Sequence, residues 1–145
     1  MSKSKLLTTW PLRIATGAFI MNSGWSKLNA DADSAEQTHG FATAAYPFLK
    51  DVPPEQFNRG LGIAETAIGA ALLTPGVPAR VAGIGLTALG GGLLGLYLRA
   101  PGLRQEGSLR PTADGTGIAK DSWLLGAGLS LMAFDQFRRK YAKSH

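Results

Sequence analysis

The chain has 145 residues, a formal net charge of +5, 45% apolar residues and no cysteine. The missing cysteine excludes disulfides, thiol redox chemistry and thiolate metal ligation by this chain. The modest positive charge forms no basic stripe interleaved with aromatics, which argues against a nucleic-acid partner.

In chain order, the first element is a helix-length run from Trp10 to Leu28 that carries Arg13, Asn22 and Lys27. Lys3 and Lys5 precede it and "ADA" at 30–32 resembles a cleavage site. Arg13 interrupts the would-be apolar core of a signal peptide, so the segment is read as retained. The stretch 29–56 is long and mixed; its "GFATAAYPFL" is apolar enough for a short interfacial helix on a membrane surface. An exposed loop with a few aromatic anchors is the alternative there. The second span, 57–74, has Arg59 near its start and Glu65 in the middle of "GLGIAETAIGAALLTPG". "TPGVPAR" then reads as a tight turn between helices.

The third span, 79–98, contains 18 consecutive uncharged residues from Val81 to Leu98. That approaches the roughly 20 needed to cross a bilayer core. It also holds six glycines. In water each weakens a helix by roughly 1 kcal/mol relative to alanine, whereas transmembrane helices use small residues to pack closely. A polar loop with two prolines, 99–116, leads to the fourth span, 117–137, which carries Lys120, Asp121 and Asp135.

These elements predict an all-α protein: one domain over residues 1–145, folded as an integral membrane four-helix bundle. A soluble bundle explains the embedded charges but leaves Val81–Leu98 without a polar face. With both termini cytoplasmic, the inner flanks hold seven Lys and Arg in 23 residues and the outer flanks four in 46, the expected bias. That topology sorts the polar groups into two layers. Arg13, Asn22, Glu65 and Asp135 are expected to form an inner cluster, and Lys27, Lys120 and Asp121 an outer one. A lone carboxylate at mid-bilayer costs at least ~2.5 kcal/mol, so Glu65 needs a partner, and Arg13 is the one expected. Such a pair either lines a pocket for a polar headgroup or fixes helix register.

Gly91 and Gly95, and the series Ser122, Gly126 and Ser130, have the spacing of close helix contacts. "LGGGLLG" lacks the Lys-Ser/Thr of a phosphate loop. His39 and His145 lie far apart without surrounding carboxylates, so no metal site is expected.

Three stretches resemble the DoxX-like family of small bacterial membrane proteins: "RIATGAFIMNSGWSKL", "GIAETAIGAALLTPGVPAR" and "GIAKDSWLLGAGLSLMAFD". The resemblance implies a multi-pass protein of the bacterial cytoplasmic membrane. It also implies a link to membrane oxidoreductase assemblies, including a thiosulfate:quinone oxidoreductase, and to oxidative-stress complexes. The positions matching the family's polar pattern are Arg13, Lys27, Glu65, Arg80 and Asp121. The expectation is an accessory subunit of a respiratory or redox assembly, acting by helix packing and docking to other membrane subunits. It has no catalytic constellation of its own. The alternative is a quinone-binding or catalytic subunit with its pocket around Glu65 and Asn22; quinone is the candidate ligand and no covalent cofactor is expected. A stand-alone transporter fits less well, because paired broken helices are missing.

Overall fold

Proline and capping residues cut the chain into helices. The computed structural model describes residues 3–144, with side chains from Thr8 onward. Helix α1 spans Lys3–Leu28, α2 Ala32–Ala45, α3 Pro54–Leu73, α4 Ala79–Arg99, α5 Thr116–Lys120 and α6 Ser122–Lys143, with a 3-10 turn at Pro47–Asp51. The protein is all-helical: among the described residues extended pairing is limited to an isolated Arg104–Pro111 bridge.

The boundaries have local causes. Asp31 caps α2, its carboxylate accepting the Ser34 amide at 2.8 Å. Pro54 lies in the first turn of α3, where a missing N–H costs nothing. Pro75 stops α3 and Pro78 opens α4. The helix in 29–56 therefore begins well before the apolar stretch that suggested it. The first span reaches back to Lys3, and the fourth is broken at Asp121 between α5 and α6.

The long helices pack most extensively as two antiparallel pairs, α1 with α3 and α4 with α6. Glycines set both registers. A Cβ on Gly24 would sit 2.7 Å from the Thr66 amide nitrogen, and one on Gly128 2.6 Å from that of Thr87. Gly62 faces Lys27 and Leu28; Gly83 faces Leu131 and Met132. Gly69 lies on Met21 as Gly90 lies on Leu125. The pattern Gly-x-x-x-Thr-x-x-Gly thus occurs in α3 and, 21 residues later, in α4, each time against a glycine of the partner helix.

Between the pairs lies an apolar core of Ile20, Leu72, Ala82, Leu86, Leu124 and Leu131, with Ala127. A smaller core of Ala45, Tyr97, Ala100 and Leu103 closes the end bearing α2. There the Tyr97 hydroxyl donates to Leu109 O at 2.5 Å and holds the 100–115 loop. The opposite end carries the α3–α4 turn. Among the described residues α4 is the one helix long and apolar enough to cross a membrane, and 28% of its apolar window is buried.

Candidate functional site: an ion pair at the end of an apolar groove

Glu65 stands three residues after Gly62, on the face of α3 that approaches α1. Lys27 stands three residues after Gly24 on the facing side of α1. The close approach of these glycines brings Lys27 Nζ to 3.0 Å from Glu65 Oε2. The ammonium also donates to Ser23 Oγ at 2.8 Å, one turn back along α1. Its stem therefore runs toward the helix interior, the usual direction for a helical side chain. Glu65 is 4% exposed. Its second oxygen, Oε1, accepts no protein hydrogen bond among the described residues. Asp121, from the α5–α6 break, interacts electrostatically with both Glu65 and Lys27.

The other helix pair is an internal control. In the same register, three residues after Gly83 and three after Gly128, stand Leu86 and Leu131, both buried in the central core. The packing geometry is satisfied there without charge.

Lys27 and Glu65 form the polar end of a groove of about 550 Å³ between α2, α3 and α4. Its walls are apolar, with Phe41, Leu49, Phe57, Leu61, Leu93 and Leu96 among them. Tyr46 ties α2 across it, donating to Gly92 O at 2.8 Å, and the Arg99 guanidinium lies 5.6 Å from the Tyr46 ring centroid. An ammonium with one N–H to spare and a carboxylate oxygen without a partner present a donor and an acceptor together.

The expected Arg13–Glu65 pair does not form. Arg13 is fourteen residues from Lys27 on α1, about 21 Å along the axis. In an antiparallel pair it therefore meets the other end of α3. There, 2% exposed, it donates to Leu72 O and Ala71 O at 2.8 Å and to Thr74 O and Val77 O at 3.0 Å. Ala71 O and Leu72 O are carbonyls that the helix end leaves unpaired and Val77 O lies in the turn, while Thr74 O also accepts the Val77 amide at 3.2 Å; a cation there suits the helix dipole. Arg13 shares a second cavity, of about 560 Å³, with Asp135, Arg138 and Arg139. Asp135 Oδ2 lies 3.8 Å from the Arg139 guanidinium.

Asn22 is exposed and lies outside the groove, and Lys120 is exposed on α5. The expected inner cluster is thus divided: Arg13 and Asp135 share one cavity, Glu65 lies with Lys27 and Asp121, and Asn22 joins neither. His39 braces α2, its Nε2 2.9 Å from Leu49 O and its ring edge-on to Phe57. His145 lies outside the described residues, among which no group of three candidate metal ligands occurs. Gly95 of the Gly91–Gly95 pair packs on Tyr46 of the same chain, while Gly91 and Gly126 face open space.

Sequence reasoning missed Ser23, Tyr46 and the true partner of Glu65. The repeated Gly-x-x-x-Thr-x-x-Gly was the available signal, because it sets the α1–α3 register and hence who faces whom.

Fold and site together define an all-helical protein with a lipophilic groove ending in a buried ion pair. No protein-family model, curated protein or solved structure matches the chain.

Proposed function

We propose that the chain is a DoxX-like integral membrane protein whose Lys27–Glu65 groove receives the headgroup of an isoprenoid quinone. In this reading α1, α3, α4 and α6 span the bacterial cytoplasmic membrane with both termini inside, and the protein serves as a subunit of a redox assembly. The observation that carries it is the ion pair itself. Charge occupies a position where the α4–α6 pair has Leu86 and Leu131, and it lies at the end of an apolar groove. Lys27 would donate to a quinone carbonyl and Glu65 Oε1 would accept from a hydroxyl, with the isoprenoid tail along the walls. No cysteine is present, so electrons would come from a partner subunit.

The surface supports a lipid environment. Large apolar side chains point outward from every long helix: Ile14 and Phe19 on α1, Ile63 on α3, Val81 and Ile84 on α4, Leu129 on α6. Exposed Trp25 and Trp123 lie near the α2 end, and exposed Phe137 and Tyr141 near the other, as in an aromatic belt. Arg13 and Glu65 are buried instead, the reverse of a water-soluble surface.

The test is retention. Membranes washed at alkaline pH should keep the protein in the pellet. Protein extracted in polymer-bounded native discs should hold isoprenoid quinone well above the lipid background, and Glu65→Gln should lower it. Quinone at background in the wild type, or unchanged in the variant, overturns the reading.

A further inference from the structure

Lys27 belongs to two cavities. Its groove side is apolar, but its other side bounds a cavity of about 530 Å³ enclosed by the end of α1 and the starts of α2 and α3. Polar and charged groups line this second cavity: Asp31, Glu55, Asn58 and Arg59. Asn58 does not fit a purely architectural account. It is 3% exposed, and its amide nitrogen donates to Lys27 O at 2.9 Å. That bond fixes the amide orientation, since the flipped form would set two acceptors against each other. Asn58 Oδ1 is then left buried with no partner among the described residues. A buried acceptor in that state costs roughly 1–3 kcal/mol unless water reaches it.

We propose that this cavity is a water-filled vestibule that joins the Lys27–Glu65 pair to the aqueous phase at the α2 end. The pair then faces water through one cavity and an apolar groove through the other. This deepens the quinone reading and rests on it for its purpose: a lipid-soluble ligand in the groove and protons from water meet at one ion pair. Among the described residues the charged groups around the pair are Asp121, which interacts electrostatically with both members, and Asp31, Glu55 and Arg59 in the vestibule. Lys27 lines both cavities and lies within one residue of the end of α1.

The cysteine-free chain permits a direct test. Single variants Ala35→Cys (vestibule wall), Ala88→Cys (groove wall) and Asp33→Cys (exposed on α2) are placed in nanodiscs, where reagent reaches both faces. They are treated with a sulfonate-bearing methanethiosulfonate. The thiolate attacks the reagent's sulfenyl sulfur, forming a mixed disulfide and releasing methanesulfinate, and intact mass reads the product. Only a hydrated thiolate reacts, and Ala35 is 2% exposed, so Ala35→Cys should label within about a hundredfold of the Asp33→Cys rate if water fills the cavity, and Ala88→Cys, facing lipid, more slowly still. An uncharged maleimide added after unfolding in dodecyl sulfate should modify Ala88→Cys fully, which shows that its thiol is intact. Asn58→Leu, which removes the amide at similar volume, should slow labelling at Ala35→Cys.

Failure of the charged reagent at Ala35→Cys, while Asp33→Cys reacts, overturns the vestibule. If Ala35→Cys does not elute as a folded species, Asn58→Cys answers the same question. Fast charged labelling at both Ala35→Cys and Ala88→Cys supports the water path and overturns the lipophilic groove, so the two readings fail separately.

Discussion

The most searching perturbation is to copy one helix pair onto the other. Lys27→Leu with Glu65→Leu would give the α1–α3 contact the apolar pair that Leu131 and Leu86 supply between α6 and α4. The backbone spacing is already matched, since Gly62 lies 3.1 Å from Lys27 Cβ and Gly83 3.0 Å from Leu131 Cβ, measured from an ideal glycine Cβ. Removing one member of a buried pair costs about 3–5 kcal/mol, whereas replacing both by well-packed apolar residues is neutral or stabilising by about 1–4 kcal/mol. Glu65→Leu should fall at the low end, because the Lys27 side chain is 22% exposed and can turn toward the polar cavity. Lys27→Leu should fall at the high end, because it leaves the 5% exposed Glu65 carboxylate without its only ion-pair partner among the described residues. The double variant should lie within about 1 kcal/mol of wild type, a coupling of more than about 4 kcal/mol. Unfolding of all four proteins in mixed micelles, followed by helical circular dichroism, measures the cycle. The double variant should also lose bound quinone while remaining folded. If it is as unstable as the two single variants combined, the ion pair is architectural and the equivalence of the two helix pairs is wrong.

Arg13→Met should destabilise by about 3–5 kcal/mol, because it leaves the carbonyls of Ala71, Leu72 and Val77 without their side-chain donor, Thr74 O keeping the Val77 amide. Arg13→Lys should recover only part of this, since an ammonium lacks the guanidinium fork, and equal unfolding midpoints for Lys and Arg would refute the capping role. Gly24→Ala and Gly128→Ala should each cost about 1–3 kcal/mol by forcing the helix pairs apart, while Gly91→Ala, which meets open space, should be neutral or slightly stabilising. Hydrogen bonds from Ser34 hold the Asp31 carboxyl below the usual carboxylate range. The stability it lends the start of α2 is therefore full above the ordinary aspartate value and lost as pH falls through the lowered one. The protection factor of the Ser34 amide should fall on acidification, and Asp31→Asn should remove that pH dependence; an unchanged dependence refutes the cap.

Helix positions were legible because they depend on neighbours in sequence. "TPGVPAR" separates α3 from α4, and the run Val81–Leu98 lies within α4. The start of α2 is legible in the capping pair of Asp31 with Ser34, whereas the apolar "GFATAAYPFL" marks only its second half. The break at Asp121 had no proline or glycine to mark it. Partner choice was not legible from charge alone. Arg13 and Lys27 lie on the same helix, and only the register of α1 against α3 decides which of them meets Glu65. Glycine contacts set that register. Asn22 illustrates the same point: a polar residue inside a span is expected to face inward, yet the contact stripe of Met21, Gly24 and Leu28 leaves it outside.

The buried charges of this protein answer to different demands. Arg13 answers to the backbone: the carbonyls of Ala71, Leu72 and Val77 at the end of α3 and its turn need donors, and any account of the fold must supply them. Glu65 caps nothing. The only hydrogen bond its side chain receives among the described residues comes from Lys27, and the equivalent positions in the other helix pair are leucines. Desolvating both charges costs several kcal/mol that an apolar pair would avoid. A charge that the backbone does not require, at the junction of an apolar groove and a polar cavity, is better explained by what enters those cavities than by what holds the helices together.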